Sequence, residues 1–259
     1  ASRTQTGPYR YPLYKRPVDL VTDPVSGKVL GQRVGNAMVA YPRRKDLEQS
    51  GALAGQELVW LKDPLDSYIV QVNGSARLTM NDGSTIHVGY AGTNGRDYTS
   101  IGHLLVENGK IPRGQVTLAA IRDYFRRYPE QLNDYVMRSD RFVFFQEYNG
   151  DNWPAGSLGV KVAPMRSLAT DKDIFPRGGV VLVWIDQPTP AGSTMRQLML
   201  DQDTGGAIRA AGRGDIYFGI GDAAERAAGN MVAEGRLYYF FLKPQHVAQW
   251  SQPSTPLTN

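Results

Sequence analysis

Between Gln202 and Asp222 the chain places six glycines (Gly205, Gly206, Gly212, Gly214, Gly219 and Gly221) around the aspartates Asp203 and Asp215. Glycine takes a positive φ without a Cβ penalty and weakens any regular element that it interrupts. No long strand or helix can run through such a stretch, so it must be built from short strands joined by tight corners. The residues around it read the same way, with strands expected at Val160–Ala163, Val180–Ile185, Arg196–Leu200, Asp215–Phe218 and Arg236–Leu242. One helix is expected at Asp222–Ala233, with Asp222 capping it, Glu225 three residues on, and Ala224, Ala227, Ala228 and Met231 facing inward. Short strands, glycine corners and a single helix predict a small closed barrel.

The first part of the chain has a different grammar. Residues 1–60 are rich in Pro, Gly and Arg, with short strands at Arg10–Tyr14 and Ala37–Tyr41. Tyr68, Val70 and Val72 alternate with Ser67, Ile69 and Gln71, which predicts a strand. Arg77–Met80 and Thr85–Tyr90 flank Asn81-Asp82-Gly83-Ser84, a hairpin turn. Helices are expected at Ser100–Glu107, ending at Asn108-Gly109, and at Thr117–Tyr128, with Leu118, Ile121, Tyr124 and Phe125 on one face. A third helix starts at Pro129 with Leu132, Tyr135 and Val136 inward, and an apolar strand follows at Arg141–Gln146. Tyr148–Ala155 breaks the pattern and is read as a domain boundary, giving domains 1–149 and 150–245 and a tail 246–259. Trp60, Trp153 and Trp184 are read as core or interface aromatics.

Composition removes several kinds of chemistry. The 259 residues include no cysteine, which excludes disulfides, thiolate catalysis and Cys-based metal sites. His87, His103 and His246 are far apart in the chain, against a multi-histidine metal centre. A net charge of +4 is no nucleic-acid footprint, although residues 1–50 hold nine Lys/Arg against four Asp/Glu. The longest apolar run, Val180–Ile185, is far short of the roughly 20 residues of a membrane span. Ala1 opens on a polar loop with no signal peptide, so a processed or truncated N-terminus is expected. The glycine-rich segment matches neither a P-loop nor a dinucleotide fingerprint. Carboxylates without His or Cys point to acid–base work on an acid-labile bond, with glycosidic bonds the leading case. An equal alternative at this stage is that the aspartates only shape turns.

Three segments carry a resemblance: Ser167-Leu-Ala-Thr-Asp171-Lys-Asp-Ile-Phe-Pro176-Arg-Gly, Asp203-Thr-Gly-Gly-Ala-Ile-Arg, and Gly214-Asp215-Ile-Tyr-Phe-Gly-Ile-Gly-Asp222. Together they resemble the three-aspartate signature of the membrane-bound lytic transglycosylase A family. Upstream pieces agree, among them Arg10-Tyr-Pro-Leu-Tyr14, Gly89-Tyr-Ala-Gly-Thr-Asn-Gly95, Tyr98-Thr-Ser-Ile-Gly102, Ala120-Ile-Arg122 and Arg141-Phe-Val-Phe-Phe145. The resemblance runs from about residue 8 to about residue 243.

It implies a mainly β fold: a double-psi β-barrel catalytic domain, an inserted second small β-barrel domain with a few helices, and a groove between them. It also implies that Asp215 is the catalytic acid/base, supported by Asp203 and Asp171, which raise its pKa by like charge or hold its surroundings. Sugar contacts are expected at Asn73, Gly74, Ser75 and Tyr98, and along Gly205, Gly206, Ala207 and Tyr217. Where the family reads Gln-Gly-Ser-Gly, this chain has Asn73-Gly74-Ser75-Ala76. The implied substrate is the peptidoglycan glycan strand, cleaved between N-acetylmuramic acid and N-acetylglucosamine with closure of a 1,6-anhydro ring. No cofactor, metal or nucleic acid is implied. The implied setting is the periplasmic face of a Gram-negative outer membrane, reached through an upstream lipid anchor and shared with a cell-wall synthesis or division complex. A water-using glycosidase and a non-catalytic glycan-binding protein are the competing expectations. The enzymatic reading requires that no arginine or lysine hold Asp215 permanently.

Overall fold

The computed structural model describes residues 1–24, 27–186, 194–229, 231 and 233–250. The chain divides into two compact units, one of residues 1–155 and 159–161, the other of residues 156–158 and 162 onward.

Unit 1 runs β1 (Tyr11–Tyr14), β2 (Leu20–Thr22), β3 (Val29–Val34), β4 (Ala37–Val39), α1 (Arg44–Ser50), β5 (Glu57–Leu61), α2 (Pro64–Asn73), β6 (Ser75–Thr79), β7 (Thr85–Thr93), α3 (Ile101–Glu107), α4 (Leu118–Arg127), a 3-10 turn at Pro129–Gln131, α5 (Leu132–Val136) and β8 (Val143–Tyr148). Strand β1 pairs with β5, β2–β3–β4 form a meander, and β6–β7–β8 form a three-stranded antiparallel sheet. Leu13, Val59, Val88 and Phe145 centre one core beneath the strands, and Leu65, Tyr68, Leu105 and Phe125 centre another among the helices. The expected hairpin forms at 81–84, where the Asp82 carboxylate accepts the Ser84 amide at 2.8 Å. Helices α3 and α4 start where expected, capped by the Ser100 and Thr117 hydroxyls.

The strand expected over residues 67–72 is instead helix α2. Its β-branched residues favour a strand locally, but the ends decide against one. Asp63 accepts the Asp66 amide at 2.9 Å, Pro64 occupies the first turn, and Gly74 closes the helix at φ 75°, donating to the Val70 carbonyl at 2.8 Å. Such a cap pair supports a short helix once Leu65 and Tyr68 find a core.

Unit 2 comprises β9 (Ser167–Thr170), β10 (Val180–Ile185), β11 (Met195–Asp203), β12 (Gly214–Ile216), α6 (Asp222–Gly229), β13 (Arg236–Phe240) and α7 (Pro244–Trp250). Its sheet has the order β12-β9-β11-β10-β13, with β9 and β11 parallel and the other pairs antiparallel. Val181, Val183 and Ile185 alternate inward to meet Leu168 and Met199. The sheet curls. A Cβ on Gly214 of β12 would lie 3.3 Å from Leu168 of β9 and 3.4 Å from Leu237 of β13, so the two ends of the strand order approach each other.

Several expectations are corrected here. Val160–Ala163 forms no strand; Lys161 makes only an isolated bridge to Ala155. Strand β9, not expected as a strand, is stabilised by partners distant in sequence. Helix α6 stops at Gly229, a helix-ending residue. Its expected inner face is shallow: Ala224 and Ala227 are half-buried and Ala228 is exposed. Residues 246–250, expected as tail, lie in α7, and 251–259 fall outside the described residues.

Candidate active site

Register brings the aspartates of unit 2 together. Asp215 on β12 lies opposite Ala169 of β9, and Asp203 on β11 lies opposite the same Ala169 from the other side. Two strand spacings separate their Cα atoms, about 10 Å. The residue between them, Ala169, is small and buried, so no bulky side chain separates the two carboxylates. Asp171 follows the end of β9.

A bulge makes this row possible. The β9–β11 register skips Gln202, pairing Asp201 with Leu168 and Asp203 with Ala169. Without the extra residue, Asp201 and Asp203 would share a face. With it, Asp201 enters the core beside Leu168 while Asp203 joins the face of Asp215.

The three carboxylates have different partners. Asp171 is buried and accepts the amides of Asp173 at 3.1 Å and Ala210 at 2.9 Å. These amides, with Arg209 behind them, hold its pKa below the ordinary aspartate range. Asp203 accepts the Ser157 amide at 2.8 Å. Burial pushes its pKa up, against the pull of that amide, the Thr204 amide and Lys172. Asp215 meets the Arg213 guanidinium in a two-pronged pair, Nε to Oδ1 at 2.9 Å and Nη2 to Oδ2 at 3.0 Å. Arg213 also donates to the Ala207 carbonyl at 2.9 Å, so it links the acid to the glycine loop.

The enzymatic reading required that no cation hold Asp215 permanently. The Arg213 and Asp215 side chains are 49% and 44% exposed. A pair that open to water contributes about 0–1 kcal/mol, so the contact is breakable.

Below this surface lies a polar network that the sequence reading missed. Asp201 and Lys172 form an ion pair with 0% and 8% of their side chains exposed. Thr170 and Tyr239 each donate to Asp201 Oδ2 at 2.7 Å. The visible signal was an aspartate in the apolar run Leu198-Met-Leu-Asp201. Arg213 was also missed; it lies just before β12, two residues from Asp215.

The other candidate contacts divide. Gly205 makes room for buried Ile208, whose Cδ1 would lie 3.1 Å from an added Cβ, so it has a packing role. Gly206 and Ala207 continue that loop, with the Ala207 carbonyl facing Arg213. Tyr217 extends the β12 edge, its amide donating to the Ser167 carbonyl at 3.0 Å, and its ring is half-buried. In unit 1, Asn73, Gly74 and Ser75 form a single turn from α2 into β6. Tyr98 packs against the helical core.

In comparison with known proteins, residues 1–146 match the family model described as the MltA specific insert domain. Residues 166–241 match the 3D domain, the double-psi barrel expected of this half. The membrane-bound lytic murein transglycosylase A of Vibrio cholerae is 32% identical over 221 residues, covering 82% of this chain and 59% of that protein. The chain is also similar to the solved membrane-bound lytic murein transglycosylase from Agrobacterium tumefaciens, with TM-score 0.83 and 28% identity over 97% of this chain and 72% of that one. A third similarity is to the lytic transglycosylase LtgG of Burkholderia pseudomallei, with TM-score 0.60 and 37% identity over 92% of this chain and 67% of that one. The chain spans about three fifths of the length of the curated relatives it matches. Since the insert-domain model alone matches more than half of its residues, the chain belongs to the MltA family.

Proposed function

We propose that this chain carries the catalytic parts of a peptidoglycan lytic transglycosylase, with Asp215 as its acid and base. The supporting observation is the unequal use of the three carboxylates. Asp171 and Asp203 accept backbone amides, while Asp215 meets a half-exposed arginine side chain that can swing away. An acid must be released before it can donate, and only a side-chain partner allows that without refolding a loop.

Once free of Arg213, a protonated Asp215 gives its proton to the oxygen between N-acetylmuramic acid and N-acetylglucosamine. The resulting carboxylate then takes the proton of the muramyl C6 hydroxyl while that oxygen bonds to C1. The C1–O bond to the leaving sugar breaks, and a 1,6-anhydro ring closes. Because the nucleophile belongs to the substrate, no water has to be captured; well-oriented intramolecular attack is worth up to about 7–11 kcal/mol. Asp203 and Asp171 hold the strand ends and the glycine loop around Asp215. Asn73, Gly74 and Ser75 supply sugar contacts from the turn in unit 1, and Gly206, Ala207 and Tyr217 supply them from unit 2. The enzyme acts on glycan strands at the cell envelope, on the periplasmic side of an outer membrane, held by a lipid anchor upstream of these residues and working beside cell-wall synthesis or division proteins.

The row Asp215–Ala169–Asp203 favours a second reading. Two carboxylates on one face are what a water-using glycosidase needs. Product mass separates the two readings: ring closure leaves a muramic end one water lighter than hydrolysis does. Asp215→Asn is expected to lower lysis about 10²–10⁴-fold while glycan binding persists. A reducing muramic end in the products, or full lysis by Asp215→Asn, contradicts the proposal.

A further inference from the structure

Unit 1 contains a cleft of about 540 Å³ that the glycan contacts above do not use. Three neighbouring strands build it. Lys15, just past β1, bridges to Phe145 of β8, and Phe145 lies opposite Tyr90 of β7. Buried Phe145 and Leu58 give the cleft an apolar floor, and Tyr90 stands half-exposed as a wall.

The charge inventory is positive. Lys15 and Arg16 line the cleft, and Arg141 lies close enough to act with Arg16 on the Tyr90 phenol. Arg16 is held in place by the Leu20 carbonyl at 3.0 Å and the Thr22 hydroxyl at 3.1 Å. Among the described residues, Lys15 Nζ has no acid beside it. The one acid in the lining, Glu147, is neutralised by Arg3 in a two-pronged pair at 2.7 and 2.8 Å. An anion entering the cleft therefore meets cations without a competing free carboxylate.

The cleft also adjoins the Asn73–Ser75 turn: a Cβ on Gly74 would lie 3.9 Å from Tyr90 Cβ. A ligand with small aliphatic groups and a carboxylate fits a floor of Phe145 and Leu58 under two cations. The murein strand carries such a group on its muramic acid residues, the stem peptide. We propose that this cleft binds the carboxylate-bearing stem peptide of the glycan whose sugars contact Asn73–Ser75. The inference rests on the transglycosylase reading for its substrate, and on unit 1 alone for its site.

The test compares KM for peptide-bearing murein glycan with KM for the same glycan stripped of peptides by an amidase. The intact chain is expected to prefer the peptide-bearing form. Lys15→Glu is expected to reduce that preference about five- to tenfold, the effect of losing a charge-assisted contact and adding repulsion, while Lys15→Arg keeps it. A second measurement titrates the whole chain with the free stem peptide L-alanyl-γ-D-glutamyl-diaminopimelyl-D-alanine and follows the Tyr90 and Phe145 resonances. Movement of both that Lys15→Glu removes supports the cleft even if no glycan is cleaved, in which case the transglycosylase reading fails alone. Cleavage with equal preference in parent and Lys15→Glu, and no peptide-induced shift, overturns the cleft and leaves the transglycosylase reading intact.

Discussion

Arg44 in unit 1 and Lys172 in unit 2 are both cations with almost no exposed side chain, 3% and 8%, yet they hold different things. Arg44 reaches the Gln71 amide oxygen at 2.8 Å, the Arg141 carbonyl at 2.8 Å and Glu48 at 2.9 Å, with the Phe142 ring 4.9 Å away. Buried Asn94 works in the same way, accepting the Phe142 amide and donating to the Pro42 and Asp140 carbonyls. Arg44 ties helix α1 to α2 and to the segment before β8, and Asn94 ties loops to loops. Lys172 instead neutralises Asp201, two residues from Asp203 and next to Asp171. In unit 2, buried polarity lies directly under the candidate acids. The difference teaches that removing buried charge should cost stability in both units, but should reach the chemistry only in unit 2.

The strongest way to break that comparison is to remove one partner of the buried ion pair. Lys172→Met leaves Asp201 unpaired in the core and is expected to cost about 3–5 kcal/mol in urea unfolding. Lys172→Met combined with Asp201→Asn keeps an acceptor for Thr170 and Tyr239 and removes both charges, so most of the loss should return. A double variant as unstable as the single one would show that charge is not the cause. The corresponding change in unit 1, Arg44→Met, should cost about 2–3 kcal/mol through unsatisfied buried acceptors. Lytic activity per folded molecule should stay at the parent level for Arg44→Met and fall for the pair in unit 2.

A smaller effect sharpens the comparison through pH. The pKa of Asp171 is lowered in the folded chain by the Asp173 and Ala210 amides. A carboxylate depressed by folding stabilises the protein above its unfolded pKa, about 3.9, and loses that contribution as pH falls through the folded value. Asp171→Asn should therefore lower Tm at pH 7 and approach the parent below pH 4. Asp203 is shifted the other way by burial, so its charge opposes folding as pH rises past the ordinary aspartate range. Asp203→Asn should remove the loss of stability that the parent shows as pH rises from about 3.9 through the raised folded value of Asp203. Parallel Tm curves for parent and variants across this range would contradict both assignments.

What could be read from sequence follows how local each signal is. Val180–Ile185 is a strand to the residue, because six apolar positions flanked by glycine and aspartate allow little else. The hairpin at Asp82-Gly83 and the caps Ser100 and Thr117 are equally local. Helix α2 was misread because Val70, Val72 and Ile69 argue for a strand, while Asp63, Pro64 and Gly74, which decide the matter, lie outside the alternation. Strand β9 was not read as a strand because its partners, β11 and β12, are about 30 and 45 residues downstream. The aspartates stood out in sequence, but their shared row depends on a bulge at Gln202 that no spacing announces. Asp201 was overlooked because burial of a charge appears only once Lys172 is beside it.

The smallest expected change in stability comes from the cation nearest the proposed chemistry. Arg213→Met removes a half-exposed pair and should shift unfolding by no more than about 1 kcal/mol, in contrast to the loss expected at Lys172. Its effect on rate should be of similar size and opposite in sign, a gain in activity beside a loss of stability. The pair exists in the resting site and must open before Asp215 reaches the glycosidic oxygen, so it stabilises the ground state without stabilising the transition state. Removing it should raise kcat/KM by up to about fivefold, the rate equivalent of about 1 kcal/mol. A fall in kcat with unchanged KM would mean instead that Arg213, anchored on the Ala207 carbonyl, aims Asp215. A rise in KM alone would mean that the freed guanidinium binds the glycan. Either result would exclude a resting pair that merely restrains Asp215, and the first would make Arg213 like Arg44, a side chain that holds a position.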